Sequence, residues 1–258
     1  HRDSVIIESE YLTGQLAGFT HELKKPARAR FLKFTEISET DSVFIYNTTT
    51  DSVERFVVNN LALIASLSPY ADMSPFEQYE YQVGFDLGSI RQAGNVYYHT
   101  FVCIRRTNPF VTGRTTPLIW QKATDQLPAE PKLTSADFNR LSRYKRAEAY
   151  QFSLDTLNYY CRTYLHAEYS LKANYIYVYH RDGQLLFNKV YFEGESTDLL
   201  SLSFESEKNK ELTQRTGLLF ENMPMVIYGI TTESFACRHV DFLDPDVAPI
   251  EYLCDNRH

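Results

Sequence analysis

Residues 173–192 carry the strongest secondary-structure signal of the chain and read ANYIYVYHRDGQLLFNKVYF. Aromatic and branched residues fill both halves of this segment, and such residues favour extended strands. Asp182 and Gly183 separate the two halves, and an Asp-Gly pair between strand-like runs is a strong signal for a tight antiparallel turn. The segment therefore predicts a β-hairpin and places antiparallel sheet in the second half of the chain.

The residues that precede this hairpin predict one long amphipathic helix, at about residues 135–166. Thr134 or Ser135 is suited to cap its start, and Asp137 places a carboxylate in its first turn. A helix with a single apolar stripe packs on a sheet, so the expected fold class is α+β, with antiparallel hairpins and this one long helix. The stripe recurs in steps of three and four residues: Leu141, Tyr144, Ala147, Tyr150, Leu154, Leu157, Cys161 and Tyr164.

The first half of the chain predicts further strands. Residues 42–58 indicate a hairpin around a polar turn, and residues 79–87 indicate a second hairpin with residues 96–104. Residues 4–24 have helical spacing of apolar side chains, and Pro26 is expected to end that helix.

Three regions follow from these signals. Residues 1–122 form a β-rich region, and residues 123–134 form a linker or long loop because Pro128 and Pro131 stand among small and polar neighbours. Residues 135–258 contain the helix, an antiparallel sheet and an acidic tail. The alternative is that all three regions belong to one domain.

Charge and hydropathy exclude several classes of protein. The 258 residues carry a net charge of −7, from 26 basic and 33 acidic residues. Residues 151–258 account for the whole excess of acid, which argues against nucleic acid wrapping over the entire surface. The longest apolar run, Leu61 to Leu67, is far shorter than the ~20 residues that cross a bilayer, so no membrane-spanning segment is expected.

The acidic tail is the first candidate site. Thiolates and imidazoles bind zinc, and carboxylates bind harder cations, so these residue types close together in sequence predict a metal site. Zinc is accordingly the one cofactor considered, against the simpler expectation of none. The candidate ligands are Cys237, His239, Cys254, Asp241, Asp244 and Asp246.

Basic clusters are the second candidate site. An anionic partner such as RNA needs cations to neutralise its phosphates, and aromatic side chains on which bases stack. The predicted helix offers one such cluster on its solvent side, and two others lie in the first half of the chain. The residues are Lys24, Lys25, Arg28 and Arg30, then Arg105 and Arg106, then Arg140, Arg143 and Arg146.

Function is predicted mainly from what the chain lacks and from its tyrosines. No nucleophile motif or phosphate-binding glycine loop is present among only 10 glycines, whereas 19 tyrosines supply side chains that are enriched at interfaces. The leading hypothesis is a non-enzymatic interaction module with a protein partner. We expect it to be part of a larger protein or assembly, for example an extracytoplasmic sensory domain. The alternatives are a metal-dependent hydrolase that uses the acidic tail and an RNA-binding domain that uses the basic clusters.

Overall fold

The structure is a computed structural model and describes residues 20–68, 71, 76, 80–87, 100–123, 127–204, 213–233 and 238–252. It is mainly β, with 48% strand and 11% helix, so the predicted α+β fold class is wrong. The chain divides into two compact units, residues 1–110 (unit 1) and residues 111–258 (unit 2).

The described part of unit 1 contains two antiparallel three-stranded sheets and one helix. Its elements are β1 (Thr20–Glu22), α1 (Lys25–Thr35), β2 (Ser42–Asn47), β3 (Ser52–Val57), β4 (Leu63–Leu67), β5 (Tyr81–Phe85) and β6 (Thr100–Arg105). One sheet has the order β1-β4-β5 and the other β3-β2-β6, and a single-turn 3-10 helix at Val58–Asn60 lies between β3 and β4.

Helix α1 begins close to Pro26, the residue at which the sequence predicted that a helix would end. Pro26 stands in its first turn, where a missing N–H costs nothing, so proline begins this helix instead of ending one. The helix ends at Glu36, which has a φ of 58° and donates its backbone N–H to the carbonyl of Leu32. The helix predicted within residues 4–24 is wrong where it can be compared, because Thr20–Glu22 form strand β1, and residues 4–19 lie outside the described residues.

The two predicted hairpins of the first half have different outcomes. The hairpin at residues 42–58 is confirmed, because β2 and β3 pair antiparallel in register from Ser42 opposite Val57 to Asn47 opposite Ser52. The second is wrong, because β5 pairs with β4 whereas β6 pairs with β2 in the other sheet. Two strand-like runs that follow each other in the sequence therefore need not pair with each other.

The described part of unit 2 contains two five-stranded sheets, a two-stranded sheet and a short helix. Its elements are β7 (Thr115–Pro117), β8 (Gln121–Lys122), α2 (Ser135–Leu141), β9 (Tyr144–Leu154), β10 (Leu157–His166), β11 (Lys172–His180), β12 (Leu185–Phe192), β13 (Thr197–Leu199), β14 (Arg215–Gly217), β15 (Val226–Tyr228), β16 (Thr231–Glu233), β17 (Arg238–Phe242) and β18 (Ile250–Tyr252). The sheet orders are β12-β11-β10-β9-β8, β18-β17-β15-β14-β7 and β13-β16.

The long helix predicted at residues 135–166 is wrong. Its capped start is real, since Thr134 accepts a hydrogen bond from the Asp137 N–H at 3.1 Å, but α2 lasts only seven residues. Strands β9 and β10 follow, joined by a tight turn in which Asp155 has a φ of 51°. Leu157, Tyr159 and Cys161 are buried at alternate positions, so the same apolar residues fit a strand period of two. In the described residues no helix is long and apolar enough to cross a bilayer.

The hairpin at residues 173–192 is confirmed. Strands β11 and β12 pair antiparallel from Ala173 opposite Phe192 to Tyr179 opposite Leu185, with one irregularity next to the turn. Gly183 has a φ of 93°, a value that favours glycine, and its N–H bonds the carbonyl of His180 at 2.9 Å.

The core of unit 2 lies between its two five-stranded sheets. Ile176 and Val178 of β11 contact, in one buried cluster, residues of the second sheet such as Ile227. Trp120 is almost fully buried and donates its indole N–H to Gln214 at 2.7 Å. A buried polar group is stable only when it is hydrogen-bonded, and this pair satisfies both partners.

The other face of the same sheet is rich in tyrosine. We call the rings of Tyr160, Tyr164, Tyr175, Tyr177 and Tyr179 the tyrosine face, and residues 127–134 the cover segment. The cover segment lies against this face and is fixed by hydrogen bonds. The Tyr175 hydroxyl donates to the Pro131 carbonyl at 2.9 Å, and the Asn188 amide donates to the Lys132 carbonyl at 3.3 Å.

A carboxylate also ties the cover segment to the sheet. Glu130 forms ion pairs with Arg146 at 2.6 Å and with Arg162 at 2.5 Å, and it accepts a hydrogen bond from the Tyr164 hydroxyl. The segment predicted as a linker or long loop thus packs on the sheet through residues 127–134.

Two glycines of unit 2, one at the end of β14 and one directly after β15, allow close approach of backbone. Gly217 and Gly229 have φ values of 133° and 72°. A Cβ atom at Gly217 would lie 2.1 Å from the carbonyl oxygen of Arg114, and one at Gly229 would lie 2.1 Å from that of Thr213. Both positions therefore require the residue that lacks a side chain.

Candidate interaction surface

The candidate site lies at one end of the β12-β11-β10-β9-β8 sheet, where β9 begins and β10 ends. Tyr144 and His166 are opposite each other in register, and their rings meet edge to face with their centres 4.9 Å apart. The centres of the His166 and Tyr169 rings are also 4.9 Å apart. Three rings from two parts of the sequence thus form a continuous row.

A local hydrogen-bond pattern holds Tyr169 in place. The His166 N–H donates to the Leu171 carbonyl at 2.8 Å, which closes the loop between β10 and β11. The Nδ1 atom of His166 accepts hydrogen bonds from the backbone N–H groups of Glu168 at 3.1 Å and Tyr169 at 3.2 Å. Because Nδ1 accepts, the neutral ring carries its proton on Nε2, which remains a donor.

An arginine extends the row on the other side. The Arg140 guanidinium lies 4.0 Å above the centre of the Phe192 ring, a cation–π contact, and that ring lies 5.7 Å from Tyr144. The carbonyl of Arg143 accepts the Ala167 N–H at 3.2 Å, which joins the start of β9 to the loop after β10. We name Arg140, Arg143, Tyr144, His166, Tyr169 and Phe192 the arginine–aromatic surface.

Exposure distinguishes this surface from the core below it. Tyr169, the outermost ring of the row, is 62% exposed. Arg140 and Arg143 are exposed, whereas Phe192 is buried beneath Arg140. Exposed large apolar side chains beside arginines are typical of the parts of a protein surface that contact a partner.

The predicted metal ligands of the tail that the structure describes each contact different residues. Asp241 is buried and accepts hydrogen bonds from Lys189 at 2.8 Å and from the Tyr191 hydroxyl at 2.6 Å. Asp244 accepts a hydrogen bond from the backbone N–H of Asp246. His239 lies on β17 opposite Glu251.

Two other proposed ligands, Cys237 and Cys254, lie outside the described residues. Among those that the structure describes, no three His, Cys, Asp or Glu side chains come close enough to hold a metal ion. The zinc site therefore stays a prediction.

The thiols that are described are ill suited to nucleophilic chemistry. Burial raises the pKa of the Cys161 thiol far above its usual range, and burial also raises the pKa of Cys103. A thiol attacks only as its thiolate, so both side chains are held in the unreactive form at neutral pH.

The first basic cluster contains a structural arginine. Arg28 donates four hydrogen bonds: two to the Glu39 carboxylate, one to the carbonyl of Val58 and one to that of Leu61. The hydrogen bond to Glu39 raises the pKa of Arg28 despite its partial burial, and the same contact lowers the pKa of Glu39. Arg28 therefore joins α1 to the segment between β3 and β4.

Lys24 and Lys25 remain exposed beside Arg28, on the rim of an open groove of about 970 Å³. Arg30 is also exposed on α1. Glu22 and Glu39 line the same groove, so its charge is mixed.

The other basic clusters separate in the structure. Arg105 and Arg106 are exposed at the end of β6 in unit 1. Arg146 lies on β9 and is paired with Glu130, so it belongs to the contact that holds the cover segment. Arg140 and Arg143 are not on successive turns of a long helix but at the end of α2 and the start of β9, where both join the arginine–aromatic surface.

The rings of this surface were not predicted as a site. Tyr144 was assigned to a helix stripe, while His166 and Phe192 are separated from it by many residues and meet it only through strand pairing and packing. The one sequence signal was the high density of tyrosine between Tyr159 and Tyr179.

Comparison of the chain with protein-family models, with curated proteins and with solved structures finds no match. Function is therefore inferred from the chemistry of the arginine–aromatic surface alone.

Proposed function

We propose that this protein is a non-enzymatic binding module that contacts a protein partner through the arginine–aromatic surface. The observation that carries the proposal is the continuous row from Arg140 to Tyr169, whose outermost ring is 62% exposed. Tyrosine and arginine are the side chains most often found to dominate the binding energy of protein interfaces.

Preorganisation supports the same proposal. The Tyr144 ring is fixed between Phe192 and His166, and the Arg140 guanidinium rests on Phe192. Side chains that are already held lose little conformational entropy when a partner binds, so more of the contact energy appears as affinity. Strand pairing, not a flexible loop, sets the positions of Tyr144 and His166.

The test is site-specific photo-crosslinking in an extract of the native cells. A benzophenone amino acid replaces Tyr169 in one variant and Phe34 in the matched control, since Phe34 is 55% exposed on α1 of unit 1. We expect a discrete crosslinked protein only from position 169. Excess wild-type protein should abolish it, and excess Arg143→Glu protein should not.

Equal crosslinking from both positions, or a product that Arg143→Glu competes away as well as wild type does, would contradict the proposal. Far-UV circular dichroism of each variant controls for folding.

A further inference from the structure

We infer that strand β6 of unit 1 pairs antiparallel with the β6 strand of a second copy of this chain. The inference concerns unit 1 and is independent of the arginine–aromatic surface, which lies in unit 2. It follows from the open edge of the β3-β2-β6 sheet, from an exposed apolar side chain on that edge and from the symmetry of the strand.

The hydrogen-bond alternation of this sheet determines which backbone groups of β6 point away from it. Val58 donates its N–H to the Asp41 carbonyl at 2.9 Å, so Asp41 and every second residue after it bond toward β3. The residues between them bond toward β6, where they lie opposite Phe101, Cys103 and Arg105. The remaining residues of β6 direct their N–H and C=O groups to the open edge: Thr100, Val102 and Ile104.

These outward backbone groups have no partner in the part of the chain that the structure describes. No described strand lies on the outer side of β6. No described residue forms a hydrogen bond with the outward N–H or C=O group of Val102. A row of unpaired backbone groups at the edge of a sheet is a template on which another strand can pair.

The side chain that this edge exposes is apolar. Val102 is 57% exposed, whereas Ile45, directly opposite it on β2, is 4% exposed. Val43 and Ile104 form the neighbouring pair on the same face, and Ile104 packs against the core cluster that contains Val43 and Ile45. The apolar face of the sheet thus continues to an edge where Val102 remains in water. A further strand beside β6 would cover this side chain.

Strand β6 lacks the features that usually keep a sheet edge from pairing. Proteins block open edges with charged residues, with proline or with very short strands. Strand β3, at the opposite edge of the same sheet, carries Glu54 and Arg55, and the edge strand β7 of unit 2 is three residues long and ends at Pro117. Residues Thr100–Ile104 contain no charge and no proline, and their outward residues are all β-branched, a side-chain type that favours strands.

The sequence of β6 is suited to pair with a second copy of itself. A two-fold axis at Val102 places the two Val102 residues opposite each other, and Thr100 opposite Ile104 of the second copy. Every outward N–H and C=O group of these residues then finds a partner. The two Arg105 residues lie about 20 Å apart, because each residue adds about 3.4 Å along a strand. Parallel pairing would instead bring these like charges together, so we infer the antiparallel arrangement.

The experiment is sedimentation equilibrium of the whole chain over a range of protein concentrations. We expect a reversible dimer with twice the 30.0 kDa mass of the chain. Val102→Pro removes the outward N–H of both strands but keeps the ladder between β6 and β2, because proline is tolerated where its nitrogen faces away from the sheet. It should weaken the dimer by about tenfold through the lost hydrogen bonds.

The matched control is Val53→Pro, the same substitution on β3. The N–H of Val53 also points away from β2, because its neighbour Glu54 bonds toward Ile45 in the alternation that Val58 and Asp41 establish. Val53→Pro should leave the dimer unchanged. Far-UV circular dichroism of both variants shows whether they fold.

Val102→Cys tests the pairing without a proline. Residues opposite each other in a hydrogen-bonded antiparallel pair have Cα atoms about 5.5 Å apart, a separation that suits a disulfide. Mild oxidation with oxidised glutathione should therefore link two Val102→Cys chains. Phe34→Cys is the control, because Phe34 is 55% exposed on α1, and it should give no more linked product than the wild type.

The remaining outcomes overturn the inference. A wild-type chain that stays monomeric at every concentration shows that β6 does not pair with a second copy. A dimer that Val102→Pro and Val53→Pro weaken equally, or that neither weakens, is formed by another surface. If Val102→Pro does not fold, the Val102→Cys crosslink decides, and linkage no greater than that of Phe34→Cys contradicts the pairing. None of these results affects the photo-crosslinking test of the arginine–aromatic surface.

Discussion

One face of the β12-β11-β10-β9-β8 sheet packs against a second sheet, whereas its other face is covered by the irregular residues 127–134 and by α2. The sheet-packed face presents side chains such as Ile176 and Val178. The tyrosine face presents alternate residues of the same strands, Tyr175 and Tyr177 among them. The two faces of one sheet are thus covered with different chemistry.

The difference shows what an irregular cover requires. A second sheet satisfies its own backbone groups through strand pairing, so it needs only apolar side chains below it. The cover segment has no strand partner, and its carbonyl groups need donors when they are taken from water. Tyrosine provides an apolar ring for burial and a hydroxyl for the carbonyl above, as Tyr175 does for Pro131. This accounts for Tyr175 and for Tyr179, whose hydroxyl donates to the Ala129 carbonyl at 3.4 Å.

The largest effect is expected from alkaline pH. Burial raises the pKa of Tyr159, Tyr175 and Tyr177 to about 12, whereas a phenol in the unfolded chain titrates near 10. The stability that these neutral phenols contribute is complete below about pH 10 and is lost as the pH rises toward 12, because the unfolded state releases its protons first. We expect unfolding in this window, followed by circular dichroism and by phenolate absorbance.

The same titration compares the two faces. Tyr159 lies on the sheet-packed face, and the other two lie on the tyrosine face. The slope of the unfolding free energy against pH should become shallower by about two proton equivalents in Tyr175→Phe/Tyr177→Phe and by about one in Tyr159→Phe. Equal slopes in all three proteins would show that these phenols are not buried.

The next largest effect is expected in the apolar core. Ile176 is fully buried, so Ile176→Ala should lower the free energy of unfolding by about 2–5 kcal/mol through lost burial and a residual cavity. Leu133→Ala, in the half-buried cover segment, should cost less than half as much, because an irregular segment can relax into the space. Urea denaturation of both variants measures the difference, and equal losses would contradict the distinction between the faces.

A smaller effect is expected from the carboxylate of the cover segment. Glu130→Gln leaves Arg146 and Arg162 without their anion, and Arg162 is largely buried, so the free energy of unfolding should fall by about 2 kcal/mol. The control is Glu148→Gln, which breaks the exposed ion pair with Lys122 but keeps an oxygen that can accept the Tyr150 hydroxyl, so it should have no measurable effect. Loss of the same size in the control would show that Glu130 is an ordinary surface charge.

The smallest effect is expected from one hydroxyl. Tyr175→Phe keeps the ring but removes the donor to the Pro131 carbonyl, so stability should fall by about 1 kcal/mol. Amide hydrogen exchange in residues 129–133 should accelerate at the same time, since the cover segment is held less firmly. Tyr160→Phe is the control, because Tyr160 stacks on Tyr177 without a hydrogen bond that fixes the cover segment, and it should change neither quantity.

Local signals in the sequence predicted local structure. The Asp-Gly turn between β11 and β12, the hairpin of β2 and β3 and the Thr134 cap were all recognisable because each depends on residues close together in the chain. The prediction of a helix at residues 135–166 was wrong because its apolar residues fit both a helical and a strand periodicity. Leu157 and Cys161 are four positions apart, so they would lie on one face of a helix and also lie on one face of a strand.

The pairing of strands that are far apart in the chain could not be predicted from the sequence. Strand β7 pairs with β14, where Thr116 lies opposite Thr216, and no short-range pattern indicates such a partner. The candidate site has the same origin. Arg140 and Arg143 were identified as exposed cations, but the rings that complete the surface come from strands β9, β10 and β12 and meet only once the sheet has formed.

Gly217 and Gly229 have a consequence for recognising distant relatives. Any larger residue at either position would collide with a carbonyl oxygen 2.1 Å from its Cβ, so drift in sequence cannot replace them while the strands keep their spacing. We expect remote descendants of this fold to retain a glycine at the end of β14 and another directly after β15, even where the tyrosines and the cover segment have changed. Because the loop between these strands tolerates insertions, the two positions, and not a fixed spacing, are the marker by which ancestry can be traced after overall identity is lost.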